Sequence, residues 1–277
     1  MTAASTGCPS NSAVEANATS TTAGEVSRLP AGNEVLAAHA AACGGVAAAA
    51  SLRSLKIESS VEIGGQSIRA DAVYQWRNDG RFVQVQRIEG VGELRSGFDG
   101  VDVWSQDPIY GDRVLRGEER AQAQWLASPV SWANYDDYVA RATTTARRSL
   151  GAREVYEVAL VIKGGTEATA RFDTGTGRLV ELSMEVHSPS GAQPVTVGFE
   201  EYRTVAGYDM AHVQVVTSAT GVMRETYRSV VPNTSLPDEI FVRRPGAGET
   251  EAVPPSKDAT KDKASPSNMP STQPPME

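Results

Sequence analysis

The sequence predicts an α+β protein that is mainly β, built around one large curved antiparallel sheet or an open barrel. Between residues 54 and 231, apolar and polar residues alternate with a period of two, in short runs separated by turn residues. Only the stretches 32–52 and 117–138 have a helical pattern. A series of about 11 or 12 strands is typical of one curved sheet or open barrel, whose concave face the helices are expected to cover.

The first helical stretch, 32–52, precedes all the strands. Its apolar residues recur at helical spacing and predict one buried stripe, which consists of Val35, Leu36, His39, Ala40 and Cys43. Gly44 and Gly45 follow this stripe and are expected to end the helix or bend it. The stretch therefore predicts a broken helix pair.

The strands of the first series are joined by hairpin turns. Asp79-Gly80 and Asp99-Gly100 are strong turn signals, because a glycine at these positions tolerates a positive φ. Alternation predicts strands at 54–63, 68–76, 82–88, 93–98 and 101–105.

An insertion at 117–138 then interrupts the alternation. Glu118 and Glu119 suit the first turn of a helix, and Trp125 and Leu126 are its apolar anchors. After it the hairpins resume, with strands predicted at 139–150, 154–163, 167–173, 178–187, 195–199, 208–217 and 222–231.

Composition divides the chain of 277 residues into three parts. Residues 1–27 are rich in Ser, Thr, Ala and Asn, and residues 245–277 are rich in Pro, Ser and Lys, so both are predicted to be disordered tails. The predicted domain is 28–244. Its basic residues are scattered and the whole chain carries a net charge of -8, which argues against a nucleic-acid partner.

Cys8 lies in the first tail, after Ser5-Thr6-Gly7. Small residues directly before a cysteine resemble the end of a bacterial lipobox, although its usual leucine is absent and no intact signal peptide precedes it. We expect Cys8 to be lipidated and residues 1–27 to act as a tether to a membrane. The alternative is a cysteine without special role in a polar tail.

The sequence contains no recognisable catalytic or metal-binding pattern. His39, His187 and His212 lie on different predicted elements, and Cys8 and Cys43 add no metal-ligand spacing. His39 falls on the apolar stripe, where a buried structural role is the simpler interpretation. We therefore expect no enzyme activity and no cofactor.

An ordered series of short motifs covers most of residues 32–244 and consists of 42–45 (ACGG), 97–104 (GFDGVDVW), 107–118, 172–179, 201–208 and 233–241. This series resembles the LolA/LolB-like superfamily of outer-membrane lipoprotein-sorting proteins. The resemblance implies a half-open β-barrel whose helices enclose an apolar cavity for acyl chains. Members of the superfamily carry lipoproteins, receive them, bind lipids or act as envelope sensors.

On this basis the large apolar residues predict the wall of a cavity, with core packing as the alternative for each tryptophan. The candidate ligand-binding residues are Leu36, Trp76, Phe82, Trp104, Trp125, Leu126, Trp132 and Phe199.

The predicted function is non-enzymatic binding of a lipid or of lipoprotein acyl chains, for transport or sorting to the outer membrane. We expect a monomer in the periplasm or cell envelope, attached to a membrane through its N-terminal anchor. The alternative is a membrane-anchored protein-interaction or sensory domain with the same fold.

Overall fold

The structure is a computed structural model that describes residues 28–64 and 68–244. Within these residues a single antiparallel sheet of 13 strands is curved and does not close. The predicted fold class is therefore confirmed. The strands are β1 (Ser54–Ile63), β2 (Ile68–Arg77), β3 (Phe82–Ile88), β4 (Gly92–Phe98), β5 (Val103–Asp107), β6 (Gly111–Val114), β7 (Val139–Leu150), β8 (Arg153–Ile162), β9 (Glu167–Asp173), β10 (Leu179–Ser188), β11 (Gly191–Val205), β12 (Tyr208–Ser218) and β13 (Gly221–Pro232).

The sheet consists of two meanders that meet in its middle. Its strand order is β6-β5-β4-β3-β2-β1-β13-β12-β11-β10-β9-β8-β7, so the first meander contains β1–β6 and the second contains β7–β13. They join where β1 pairs with β13, for example at Ile57 opposite Val230. The two edge strands, β6 and β7, are consecutive in sequence. The chain between them therefore spans the sheet from one edge to the other.

The sheet has more strands than the approximate number expected from the pattern. The additional strand is β6, whose four residues pair with β5 at Ser105–Arg113 and Gln106–Asp112. Four residues are too few for alternation to be recognisable in sequence. In addition, β11 begins before 195 and continues past 199, with a local irregularity at Glu201, where φ is 51°.

Two helices precede the sheet, α1 (Gly32–Ala42) and α2 (Gly45–Ser51). The predicted break lies at Gly44, which has a φ of 102° and approaches Gly207 so closely that a Cβ would lie 2.5 Å from its carbonyl oxygen. Only glycine fits this position. Within the described residues no single helix is long and apolar enough to span a membrane; α1 and α2 together, with a 51° bend, meet that test of length and composition.

The connection between β6 and β7 contains α3 (Gly117–Ala127) and the short α4 (Tyr135–Tyr138). α3 contacts β5 in the first meander and β10 in the second, so it crosses the sheet. We call the face on which α1, α2 and α3 pack the inner face. The helices thus cover one face of the sheet, as predicted.

The buried residues form clusters on both faces. On the inner face, one cluster lies under α2 and the end of α3 and includes Leu55 and Val103, and a second lies under α1 and includes Leu182. On the outer face, a smaller cluster is formed by Val83, Trp104, Leu236 and Phe241. The chain after β13 therefore covers the outer face of β3–β5.

Candidate ligand cavity

A cavity of about 490 Å³ lies between the inner face and α3. Small-molecule sites have volumes of roughly 300–1,000 Å³, so this cavity is large enough for one ligand of moderate size. Strands of both meanders form its wall, together with α1, α3 and the loop after α3. The helices thus close over a space that the curved sheet leaves open.

The part of the wall that belongs to β10 and β11 is mostly apolar. Tyr202 also lines it, but its hydroxyl donates a hydrogen bond to the carbonyl oxygen of Leu179 at 2.8 Å. This wall can contact a hydrocarbon chain without leaving a polar group unpaired. Its apolar residues are Leu179, Leu182, Met184, Val186, Val195, Val197 and Phe199.

An aromatic cluster connects the loop after α3 to the rest of the molecule. The ring of Trp132 lies 5.8 Å from each of the rings of Trp125, His39 and Phe172, in edge-to-face arrangements. Such pairs stabilise a contact beyond the area that they bury. The cluster therefore fixes α3 and its loop against α1 and β9, beside the cavity.

The part of the wall that belongs to β3–β6 carries a row of polar side chains. Gln84 lies opposite Ser96, Ser96 opposite Ser105, and Ser105 opposite Arg113, and all four line the cavity. Directly opposed side chains on one face have Cβ atoms roughly 4.5–5.5 Å apart, so the four groups are neighbours. We call them the polar row. The cavity is therefore amphipathic, with the polar row on one meander and the apolar wall on the other.

A second polar group lies near the junction of the meanders. Glu225 of β13 lines the cavity, and its carboxyl accepts a hydrogen bond from Ser59 Oγ at 2.6 Å. Beside it, Gln214 Nε2 donates to the hydroxyl of Tyr227 at 2.7 Å. Burial raises the pKa of Glu225, and the hydrogen bond from Ser59 opposes this effect. The carboxyl is therefore more readily protonated than an exposed one.

Polar contacts hold α3 above the cavity from both meanders. Arg113 on β6 forms two hydrogen bonds with the carboxylate of Glu119 on α3, at 2.8 and 2.6 Å. The hydroxyl of Tyr74 on β2 donates to the carbonyl oxygen of Ala127 at the end of the helix. On the other side, Gln122 bonds to the backbone of β10. α3 is thus a bridge between the meanders, and the cavity lies beneath it.

A cysteine and a histidine lie together at the cavity wall. Cys43 Sγ is 3.8 Å from His39 Nδ1, and both residues line the cavity. Burial raises the pKa of Cys43 to about 11 and lowers the pKa of His39 to about 4. Both groups are therefore neutral near pH 7, which is the opposite of the thiolate–imidazolium pair of a catalytic cysteine. In addition, no group of His, Cys, Asp or Glu residues suited to a metal ion occurs among residues 28–64 and 68–244.

Five of the eight candidate residues line the cavity, namely Phe82, Trp125, Leu126, Trp132 and Phe199. Leu126 is 45% exposed and lies at the surface of α3. Whether these residues contact a ligand stays a prediction.

The other three candidates lie elsewhere. Leu36 and Trp76 are buried in the core clusters of the inner face and do not reach the cavity. Trp104 lies on the outer face, where its Nε1 donates to the carbonyl oxygen of Phe241 at 3.1 Å. The expectation that Trp104 forms an apolar wall beside α3 is thereby corrected. The reason is the alternation of β5, which turns Val103 inward and Trp104 outward. Cys8 lies outside the described residues.

The polar row and Glu225 were not among the predicted site residues. A signal was present in the sequence, because side chains two residues apart on a strand point to the same face. Gln84 therefore points to the same face as Phe82 on β3, and Ser105 to the same face as Val103 on β5. Polar residues at inward positions are uncommon in a sheet with one buried face. Their inward position therefore indicates a lining role rather than exposure to solvent.

The comparisons with known proteins identify the fold. No family model matches the sequence, and no curated protein matches it either. Among solved structures, the chain is similar to a LolA superfamily protein from Nitrosomonas europaea, with a TM-score of 0.51 and 12% identity over 78% of this chain and 99% of that one. It is also similar to a DUF1329 family protein from Desulfovibrio piger, with a TM-score of 0.51 and 11% identity over 77% and 98% of the two chains. The chain therefore has the same fold as these two structures.

Proposed function

We propose that this protein binds acyl chains of a lipid or a lipoprotein in its cavity and releases them again, without making or breaking bonds. The observation that carries the proposal is the cavity of about 490 Å³ with its apolar wall on β10 and β11. An apolar wall of this extent, in a cavity whose charged side chains Arg113 and Asp209 are paired within the protein, suits a hydrocarbon chain better than a charged metabolite.

The energetics of burial support this ligand class. Each methylene that leaves water for the apolar wall contributes about 0.8 kcal/mol, so a chain of about a dozen methylenes gains roughly 10 kcal/mol. Association costs at least about 4 kcal/mol in lost freedom, and a useful affinity remains.

Binding without catalysis agrees with the chemistry of the wall. Cys43 and His39 are the groups there that most resemble a catalytic pair, and their pKa values keep both neutral. A neutral, buried thiol is a poor nucleophile.

We further propose that the protein acts in the cell envelope as a monomer and that Cys8 carries a lipid anchor. The lipobox-like residues before Cys8 and the fold shared with a LolA superfamily protein support this location. A small, collapsed cavity would favour the alternative function, a protein-interaction or sensory domain. The volume of the cavity favours the lipid-binding proposal.

Native mass spectrometry of the full chain, purified gently from a bacterial envelope, tests the proposal. We expect a mass excess that corresponds to one bound lipid and disappears after solvent extraction. A protein that carries no lipid and does not take one up from added vesicles would contradict the proposal.

A further inference from the structure

The polar row has hydrogen-bonding capacity that the protein itself does not use. Gln84, Ser96 and Ser105 face the cavity, and within the described parts of the chain none of their side chains bonds to another protein group. The Nε of Arg113 is buried and has no acceptor there. Gln84, Ser96 and Ser105 are half-buried and keep polar atoms available at the cavity, and a buried donor without a partner, such as Arg113 Nε, is unfavourable. These groups are therefore suited to a ligand that supplies oxygen atoms.

Charges at the cavity are compensated by the protein. Arg113 is paired with Glu119 through both of its terminal nitrogens. Asp209, which also lines the cavity, is paired with Arg178 at 2.5 Å. The remaining lining carboxyl, Glu225, would repel an anionic group when ionised. Among the described residues that line this cavity, a carboxylate or phosphate ligand would therefore find no unpaired positive charge.

The positions of the two walls define the shape of the ligand. The polar row crosses three strand spacings of about 4.8 Å each, so a compact head with several oxygen atoms can reach two or three neighbouring members of the row at once. The apolar wall lies on the other meander, beneath the same helix. A ligand that satisfies both walls has an extended apolar part and one compact polar end.

We infer that the cavity selects a single-chain amphiphile with an uncharged polyol head, such as an acylglycerol. Its hydroxyl and ester oxygens bind the neighbouring Ser96 and Ser105 and the Nε of Arg113, while its acyl chain lies against the apolar wall. The inference rests on the proposed function and adds the chemistry of the ligand's head to it.

Titration of the full chain with three lipids of equal chain length tests this selection. The probes are monooleoylglycerol, oleic acid and oleoyl lysophosphatidic acid at pH 8, with the hydrocarbon diphenylhexatriene as a reporter of apolar binding alone. We expect monooleoylglycerol to bind at least about tenfold more tightly than either anion, because each anion loses its hydration without gaining a counter-ion.

The double variant Ser96→Ala/Ser105→Ala tests the residues. Loss of two neutral hydrogen bonds is expected to lower the affinity for monooleoylglycerol about tenfold and to leave the affinity for diphenylhexatriene unchanged. The matched control is Ser60→Ala/Ser229→Ala, on the other face of β1 and β13, which should change neither ligand.

The variant Glu119→Gln tests the charge argument in the opposite direction. It leaves Arg113 without its counter-ion, so oleate should bind more tightly than it does to the wild-type protein. Equal affinities for all three lipids, or no change in either variant, would overturn the inference while the proposed function stands. Failure to bind diphenylhexatriene and every lipid would overturn both.

Discussion

Gln122 of α3 completes the backbone hydrogen bonding of β10. Its Nε2 donates to the carbonyl oxygen of Glu185 at 2.6 Å, and its Oε1 accepts from the amide of His187 at 3.3 Å. β9 pairs with β10 only as far as Met184, so these backbone groups have no neighbouring strand on that side. One glutamine thus replaces a strand and attaches the helix to the second meander.

Replacement of Gln122 by leucine should loosen α3. The variant leaves one carbonyl and one amide of β10 unpaired, and we expect the free energy of unfolding to fall by about 2 kcal/mol. Hydrogen exchange of the α3 amides should accelerate more than that of β12. The control is Gln124→Leu, two residues away and half-buried, which should change stability by less than about 0.5 kcal/mol. Equal effects of the two variants would contradict this role.

Filling the cavity should abolish lipid binding and preserve the fold. Val197 is buried and points into the cavity from β11, so Val197→Trp places a large side chain in the space for the acyl chain. We expect the variant to retain its circular dichroism spectrum and to lose the lipid mass excess. Thr196→Trp, on the opposite face of the same strand, should keep the lipid. Lipid retained by Val197→Trp would place the ligand elsewhere.

The buried His39 makes the free energy of unfolding depend on pH. Burial lowers its pKa from 6.5 to about 4, so the unfolded chain binds a proton more readily than the folded one. The neutral form of His39 therefore contributes its full stability above about pH 6.5, and this contribution is lost as the pH falls to about 4. The corresponding decrease in the free energy of unfolding is about 3 kcal/mol. The free energy of unfolding, measured with urea at several pH values between 7 and 4, should therefore change less steeply with pH in His39→Gln than in the wild-type protein. The outer-face variant Ser60→Ala, which removes no titratable group, is the control and should keep the wild-type slope.

Glu225 has the opposite dependence. Its pKa is raised by burial, so the folded chain holds this proton more strongly than the unfolded one, and stability falls as pH rises above the ordinary range of glutamate. Glu225→Gln keeps the shape and removes the charge. We expect a higher melting temperature than wild type at pH 8 and a similar one at pH 4. The exposed variant Glu62→Gln should show no such difference; a similar gain there would refute the assignment.

The alternation of apolar and polar residues along the strands predicted most of the fold but only part of the candidate site. It placed Phe82 and Phe199 on the inner face, because side chains on one strand alternate between faces. It could not reveal that the chain around Phe241 covers the outer face, and so the large side chain of Trp104 was assigned to the wrong side. Hydrophobicity alone also overlooked Ser96 and Ser105, whose inward direction depends on pairing with neighbouring strands.

The central claim is that an acyl chain occupies the space beneath α3, and fluorescence quenching tests it most directly. Trp125 and Trp132 line the cavity, whereas Trp76 and Trp104 are buried away from it. The full chain would be titrated with monoacylglycerol that carries bromine atoms on its chain, with the unbrominated lipid as control. Saturable quenching at about one lipid per protein is the result that one chain per cavity predicts. If native mass spectrometry detects bound lipid but the brominated lipid does not quench the fluorescence, the account is contradicted.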